Sequence, residues 1–301
     1  MEKQKMDLEQ IKQILERISL PHYTKFIAER NGKTCDSCRC YHEKVFRKDD
    51  PRRPTLPIHP NCRCKYQDIP ITLRSAELQK EKQHAAAVFT SRHRLSENLA
   101  EELAEQIIIA RMENRKLESE DLFLLFNGRY LLSSDGELLL DAVAGQPVDK
   151  KINIERISSN LQREVDTITF DYSYKRQGIE NVGGLPHGLY TMDRKESGSI
   201  VNFNIKKHIT GMPSWGNFHW RLHPDDATDM RGRKKDSFTV HGGTEPASGG
   251  CIDLTGQDMD FKKYLCSITK ATLCVYVRYC SEKVIFTKQQ LVPIDAIFPA
   301  Y

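Results

Sequence analysis

A single segment organises the C-terminal half of this chain: Ser237-Phe-Thr-Val-His241-Gly-Gly-Thr-Glu-Pro-Ala-Ser248-Gly-Gly-Cys251-Ile-Asp-Leu254. A β-prone run ends at His241, and Cys251 follows ten positions later, directly after two glycines. A thiol is a strong nucleophile only as the thiolate, and a neighbouring imidazole commonly takes its proton. The segment therefore predicts an acyl-transfer site next to a strand, with Cys251 as the nucleophile and His241 as the base.

The glycines give the loop before Cys251 the freedom to turn tightly and to point N–H groups at a developing oxyanion. We expect the N–H groups of Gly250 and Cys251, together with Gly249, to stabilise that oxyanion. The Ser248 hydroxyl is expected to support the loop by hydrogen bonding, because the better nucleophile lies three residues further on.

Further residues are expected to contact the substrate, and they are Gly242, Gly243, Tyr190, Trp215 and Arg233. An arginine can hold a carboxylate through two parallel hydrogen bonds, although Arg233 can also be a solvated surface charge. For the two aromatic residues, packing in the core is the alternative to forming the wall of a groove.

Length and composition limit the class of protein. The chain has 301 residues, enough for two domains, and its 39% hydrophobic and 29% charged residues are typical of an ordered globular protein. A net charge of +4 is too small to indicate a nucleic-acid partner. The apolar runs, such as Leu122–Phe126, are far shorter than the roughly 20 residues of a membrane-spanning helix, so no membrane span is expected.

The N-terminal residues, Met1–Gln10, are charged and lack the apolar core of a secretory signal. We therefore expect synthesis in the bacterial cytoplasm and no export by the general secretory route.

Nine cysteines are present, and five of them lie between Cys35 and Cys64. A CxxC and a CxC pair separated by about two dozen residues can place four thiolates around a tetrahedral Zn²⁺. This pattern predicts a structural zinc held by Cys35, Cys38, Cys62 and Cys64. Disulfides formed after export and free thiols are the alternatives. Further candidate ligands within range are Cys40, His42 and His59.

The element pattern predicts an α+β protein with a mostly β C-terminal domain. We expect three parts: an N-terminal helix (3–18) with the cysteine module in 1–70, a connector in 71–150, and a catalytic domain in 151–301. The connector is expected to contain helix over 72–120, capped at Ser96. A hairpin should follow over 122–144, turning at Ser134-Asp-Gly136.

Short strands are expected from about residue 152 onward, among them 167–173, 200–205 and 238–241. An aromatic, turn-rich stretch covers 211–224. A helix over 252–265 and a strand pair at 271–279 and 283–286 complete the predicted C-terminal domain.

The C-terminal region, about residues 160–301, resembles the L,D-transpeptidase (YkuD-type) catalytic domain, and specifically the subfamily found in type VI secretion effectors that attack peptidoglycan. The resemblance rests on Gly184-Leu-Pro-His-Gly188-Leu-Tyr190, Pro213-Ser-Trp-Gly216, Arg231-Gly-Arg233 and His241-Gly-Gly…Ser248-Gly-Gly-Cys251-Ile-Asp-Leu. In the broader family, the histidine and cysteine are further apart, a second histidine stands at the place of Gly249, and an arginine at that of Asp253. The effector subfamily is similar to this chain in these features.

This resemblance implies an enzyme acting on the tetrapeptide stems of peptidoglycan by transpeptidation, D-amino-acid exchange or L,D-carboxypeptidation, with no cofactor for catalysis. It also implies an antibacterial effector delivered to a target periplasm by a specialised secretion system, with an immunity protein as a partner. The alternatives are a cysteine endopeptidase of cell-wall cross-bridges and a phage-related structural or lysis-associated protein.

Residues 22–66 resemble the cysteine module of phage Mu-F-like minor head proteins. The likeness rests on Cys35-x-x-Cys38, Phe46 and His59-Pro-Asn-Cys62-Arg-Cys64. It implies a small fold used for docking or packaging, so this part is expected to engage a secretion apparatus or an injection particle.

Overall fold

A computed structural model describes residues 21–29, 34–70, 72–117, 122–158, 161–196, 198–199, 216, 218–243 and 246–287. The chain divides into two compact units, residues 1–120 and residues 121–301. The fold is α+β, as predicted, with helices and a large sheet. The helix predicted over 3–18 and the strand predicted over 200–205 lie outside the described residues. Within the described ranges, no helix combines the length and apolar character that crossing a bilayer requires.

Within its described residues, the first unit contains a small antiparallel sheet and three helices. Its strands are β1 (Tyr23–Ile27), β2 (Val45–Arg47) and β3 (Lys65–Asp68), in the order β2-β1-β3. Its helices are α1 (Asp36–Tyr41), α2 (Leu73–His93) and α3 (Glu97–Glu113), followed by a 3₁₀ turn at Arg115–Leu117. The predicted cap of α3 is confirmed, because the Ser96 hydroxyl accepts a hydrogen bond from the Leu99 N–H at 3.4 Å.

The second unit is built mainly from strands. They are β4 (Phe123–Phe126), β5 (Tyr130–Ser133), β6 (Leu139–Asp141), β7 (Val143–Ala144), β8 (Asp149–Ser158), β9 (Leu161–Asp171), β10 (Gly188–Asp193), β11 (Gly198–Ser199), β12 (Phe218–Pro224), β13 (Phe238–His241), β14 (Ile252–Asp253), β15 (Thr272–Val277) and β16 (Lys283–Thr287). Its helices are α4 (Tyr174–Gln177), a 3₁₀ turn at Arg194–Glu196, and α5 (Asp258–Ser267).

Ten strands form one sheet in the order β6-β5-β4-β15-β10-β12-β13-β14-β7, with β11 paired to β12. Neighbours are antiparallel except for two parallel pairs, β4 with β15 and β13 with β14. Only Ala142 separates the two end strands β6 and β7 in the sequence. The sheet must therefore curve until its two ends lie side by side. A second sheet has the order β16-β9-β8.

Aromatic contacts hold the two sheets and α5 to one core. Tyr172 and Tyr279 are stacked with ring centroids 4.2 Å apart, and Phe126 meets Tyr279 edge-on. On the other side, Trp220 of β12 meets Phe261 of α5 edge-on at 4.8 Å. Each buried aromatic pair of this kind stabilises the fold by about 0.5–1.5 kcal/mol beyond the free energy gained from burying apolar area.

The division into units differs from the predicted domain boundaries. The predicted connector over 71–150 is split, because α2 and α3 belong to the first unit whereas β4–β7 are strands of the ten-stranded sheet. The apolar run in β4 is buried along its whole length between β5 and β15, as a central strand requires. Within this region the predicted hairpin is confirmed, with Tyr130 opposite Asp141 and Gly136 in the turn at φ +80°.

Two predictions for the C-terminal elements are wrong in detail. The helix expected over 252–265 begins only at Asp258, since Ile252 and Asp253 pair with β13 and a turn with Thr255 and Gly256 at positive φ follows. The strands near 271–279 and 283–286 exist but do not pair, because β15 lies between β4 and β10 while β16 pairs with β9. The stretch predicted to be turn-rich contains β12.

Candidate functional site

The pairing of β13 with β14 brings the two predicted catalytic residues to one face of the sheet. Val240 lies opposite Ile252, and both are part of the apolar core. His241 lies opposite Asp253, and side chains alternate along a strand, so these two project to the other face. Cys251 directly precedes Ile252, and the same alternation places it on the face of Asp253, one diagonal step from His241.

The thiol of Cys251 is buried, with 4% of the residue exposed. Its Sγ lies 3.7 Å from the carbonyl oxygen of Ser237, to which the S–H donates. Burial raises the pKa of Cys251, against the opposing effects of hydrogen bonding with Thr239 and of the positive charge of Arg233. At neutral pH the resting group is thus the protonated thiol. Acyl transfer at this residue needs a base that takes the proton during the attack.

The ring of His241 is held in one tautomer by a hydrogen bond to the backbone. Its Nδ1 lies 2.8 Å from the carbonyl oxygen of Gly242. A carbonyl only accepts hydrogen bonds, so Nδ1 carries the hydrogen, and in the neutral ring Nε2 has the lone pair.

Gly242 and Gly243, expected to contact substrate, are buried. A Cβ at Gly242 would lie 2.6 Å from the Cγ atom of Asp258, whose carboxylate accepts a hydrogen bond from the Phe218 N–H at 3.0 Å. Gly242 therefore allows β13 to approach α5 closely, which is a packing role.

Ser248 connects the loop before Cys251 to a distant segment. Its hydroxyl accepts hydrogen bonds from the N–H groups of Gly145 at 3.0 Å and Gly250 at 3.2 Å, and donates to the carbonyl of Cys251 at 2.6 Å. The Gly250 N–H, one of the predicted oxyanion donors, is thus already bonded within the loop. The predicted donors are thereby reduced to the N–H groups of Gly249 and Cys251.

Arg233 does not have the position expected of a substrate carboxylate ligand. Its guanidinium donates to the carbonyls of Gly183 at 3.1 Å, Gly184 at 2.9 Å and Gly249 at 2.7 Å. The residue is 8% exposed. The side chain therefore ties the loop of Cys251 to the segment before β10, and its two Nη atoms are occupied by backbone carbonyls.

Tyr190, predicted to form one wall of a substrate groove, does not line an open groove. Tyr190 is fully buried, and its hydroxyl donates to the carbonyl of Pro186 at 2.7 Å. It is a core residue. Trp215 lies outside the described residues.

A further imidazole, not predicted from the sequence, lies beside the site. His219 of β12 pairs with His241 of β13 in antiparallel register, so the two side chains share a face. Burial, and then the charge of Arg221, lower the pKa of His219. The sequence signal lies in 218–223, where Trp220 and Leu222 alternate with polar residues as in a half-buried strand, although the wider stretch 211–224 is rich in turn residues.

Asp253 completes a row of three polar side chains, His219–His241–Asp253, across neighbouring strands. Its carboxylate accepts hydrogen bonds from the N–H groups of Thr255 at 2.8 Å and Ala247 at 3.3 Å. Burial raises its pKa to about 7, and those N–H groups oppose the shift. Asp253 thus joins the loop before Cys251 to the turn after β14.

In the first unit, the four cysteines predicted to bind zinc come together with one histidine. Two groups have ligand atoms within 4.8 Å of one another, Cys35 with Cys38 and His59, and Cys38 with Cys62 and Cys64. Cys38 belongs to both. Among the described residues these two groups could hold a metal ion, and neither Cys40 nor His42 is part of them.

His59 has the hydrogen-bond pattern of a metal ligand. Its Nδ1 lies 2.8 Å from the carbonyl of Pro60, so Nδ1 carries the hydrogen and Nε2 has the lone pair. Nε2 lies 3.1 Å from the Sγ atom of Cys38. Histidines that bind metals commonly donate their other N–H to a carbonyl in this manner. His59 is therefore as strong a candidate ligand as the predicted cysteines.

No protein-family model matches this chain, and no curated protein matches it. The resemblances to L,D-transpeptidases and to Mu-F-like proteins accordingly stay predictions that depend on the quoted motifs.

Proposed function

We propose that the second unit is a cysteine acyl-transfer enzyme that acts on peptidoglycan stem tetrapeptides as an L,D-transpeptidase or L,D-carboxypeptidase. The observation that carries the chemistry is the parallel pairing of β13 with β14, which puts His241 and Cys251 on one face with the hydrogen of His241 on Nδ1. The substrate class rests on the resemblance of the motifs alone.

In the first half of the proposed reaction, Nε2 of His241 takes the proton of Cys251 while the sulfur bonds to the carbonyl carbon at the L-centre of meso-diaminopimelate. Because burial raises the pKa of Cys251, this proton moves during the attack and not before it. The carbonyl oxygen becomes an oxyanion, which accepts hydrogen bonds from the N–H groups of Cys251 and Gly249. One such donor contributes about 3 kcal/mol in acyl-transfer enzymes.

In the second half, the tetrahedral adduct collapses, and its C–N bond to the terminal D-alanine breaks. The leaving amine receives the proton held by His241, and a thioester remains on Cys251. An amine acceptor then forms a new amide, or water forms a carboxylic acid. His241 takes the proton of the acceptor, and the thiolate leaves and is reprotonated. No cofactor takes part in these steps.

For the first unit, we propose that the cysteine cluster holds a structural Zn²⁺ and that this unit docks on a delivery apparatus. The metal is supported by the convergence of Cys38, His59 and Cys62. Docking, delivery to another cell and an immunity partner rest on the resemblances alone.

The enzymatic proposal is tested by incubating the full chain with tetrapeptide muropeptides and analysing the products by mass spectrometry. Loss or exchange of D-alanine is expected, and Cys251→Ala and His241→Gln should abolish it. Cys266→Ala, at an exposed position of α5, is the matched control and should keep full activity. Cleavage at an internal cross-bridge would indicate the endopeptidase instead, and full activity of Cys251→Ala would refute the mechanism.

The effector proposal is tested by expressing the chain in a bacterial test strain, either in the cytoplasm or directed to the periplasm. Growth arrest is expected only in the periplasm and only with Cys251 intact. Equal toxicity of the Cys251→Ala variant would contradict the proposal.

A further inference from the structure

Arg233 is a buried cation, and no described residue neutralises its charge in an ion pair. Among the described residues, no carboxylate lies within ion-pair distance of its guanidinium; its hydrogen bonds go to backbone carbonyls, and its Cζ atom lies 4.5 Å from the centre of the Phe238 ring. Its Nε is buried without a hydrogen-bond partner among the described residues. Removing a charge from water is unfavourable, so a buried arginine at this place needs an explanation beyond packing.

The guanidinium lies against the backbone of the loop that carries the thiol. Nη2 donates to the carbonyl of Gly249, and the two Nη atoms lie against the Cα atom of Gly250, where a Cβ would be 2.8 Å from Nη1 and closer still to Nη2. Both glycines directly precede Cys251. Burial lowers the pKa of Arg233 and deprotonation of Cys251 opposes that shift, while the positive charge of Arg233 in turn lowers the pKa of Cys251.

We propose that Arg233 is a positioning residue that stabilises the thiolate of Cys251 electrostatically, in addition to holding its loop. The role of Arg233 in catalysis rests on the proposed acyl-transfer function. The electrostatic interaction between Arg233 and Cys251 does not depend on that function. A positive charge near a thiol favours the deprotonated form, and burial strengthens the interaction because water does not screen it.

Other titratable groups face the same site, and their effects on the thiol of Cys251 must be distinguished from the effect of Arg233. His241 of β13 is the proposed base. Asp253 of β14 carries a negative charge when ionised and disfavours the thiolate. Tyr190 and Tyr279 are buried, and burial raises the pKa of both, so they stay neutral. Glu180 also acts on Arg233, but more weakly than Cys251 does.

The test is a pH titration of the full chain labelled with ¹³C at the cysteine Cβ atoms, because NMR detects deprotonation of a buried thiol without a reagent that must reach it. The Cys251 signal is assigned by its loss in Cys251→Ser. Arg233→Met, which keeps the length but removes the charge, should raise the titration midpoint of Cys251 by about one pH unit. Arg233→Lys, which keeps the charge, should shift the midpoint by less than half as much.

An unchanged midpoint in a folded Arg233→Met variant would overturn the inference, and so would equal shifts in the Met and Lys variants. The signals of Cys266, Cys274 and Cys280, which belong to the same unit as Arg233, report whether each variant is folded.

If Arg233→Met does not fold, the inference is tested on the unsubstituted chain by alkylation followed by peptide mass spectrometry. The ratio of rates with anionic iodoacetate and neutral iodoacetamide should be several-fold higher at Cys251 than at exposed Cys266, and should fall with added salt. Equal ratios at Cys251 and Cys266 would reject the inference. A midpoint shift without any muropeptide activity would refute the proposed function and leave the coupling intact.

Discussion

Asp253 lies directly across the parallel strand pair from His241, and both side chains are buried. Burial raises the pKa of Asp253 to about 7, whereas the pKa of an aspartate in an unfolded chain is about 3.9. Between these two pH values, the folded protein keeps a proton that the unfolded chain has released. The contribution of this group to stability is fully present below about pH 4 and is lost as the pH rises through about 7.

Asp253→Asn should remove this pH dependence while keeping an oxygen that accepts from the Thr255 N–H. From pH 5 to pH 8, the free energy of unfolding of the unsubstituted chain should fall relative to that of the variant by on the order of 2 kcal/mol. Urea unfolding at the two pH values measures the difference. Asp226→Asn, at an exposed position, is the control. Parallel pH profiles of the Asp253→Asn variant and the unsubstituted chain would contradict the prediction.

The two glycines before Cys251 should respond very differently to alanine. Gly250 has φ +121°, and a Cβ there would overlap the guanidinium of Arg233. At Gly249 the nearest atom to a Cβ would be Oδ1 of Asn181, 3.5 Å away. Gly250→Ala should therefore displace the thiol and lower muropeptide turnover by about 100-fold. Gly249→Ala keeps its N–H and should stay within a factor of about three. Comparable losses in both variants would contradict this explanation.

His219 should titrate below the usual range of a histidine. Burial and the charge of Arg221 lower its pKa, so Arg221→Gln should raise it while leaving the burial effect in place. Imidazole NMR signals followed against pH measure both values. Lys235→Gln, which removes an exposed cation, should leave the His219 titration unchanged. A midpoint at or above about 6.5 in the unsubstituted chain would be inconsistent with the described burial.

Metal content should depend most strongly on Cys38, because both candidate ligand groups include it. We expect about one zinc per chain by elemental analysis, lost in Cys38→Ser and retained in Cys40→Ser. Comparing His59→Ala with Cys64→Ser then identifies the fourth ligand. Chelation should lower the melting temperature, because binding free energy of a structural metal contributes to folding. Full zinc content in Cys38→Ser would exclude this site.

The features that could be predicted from the sequence are those coded by neighbouring residues. The strand ending at His241, the turn at Gly136 and the cap at Ser96 each follow from short patterns. The convergence of the cysteines could also be predicted, since the chemistry of the ligands limits their arrangement.

The features that could not be predicted depend on pairing between distant segments. Nothing near Gly145 indicates that its N–H will meet the Ser248 hydroxyl, 103 positions away. The surroundings of Arg233 likewise come from the end of α4, the segment before β10 and the loop before Cys251, so its own neighbours in the sequence indicate only a solvated surface charge. The pairing register of β12 with β13 places His219 on the same face as His241. A shift of one residue would turn His219 to the opposite face of the sheet.

The near-closure of the ten-stranded sheet at Ala142 limits how the chain can be shortened. A fragment starting at residue 151 would lack β4 and β7, leaving β15 and β14 each with an unpaired edge that can recruit other chains. The same cut would remove the Gly145 N–H from Ser248 and so loosen the loop of Cys251. We therefore expect the shortest fragment that keeps this sheet intact to begin ahead of Phe123.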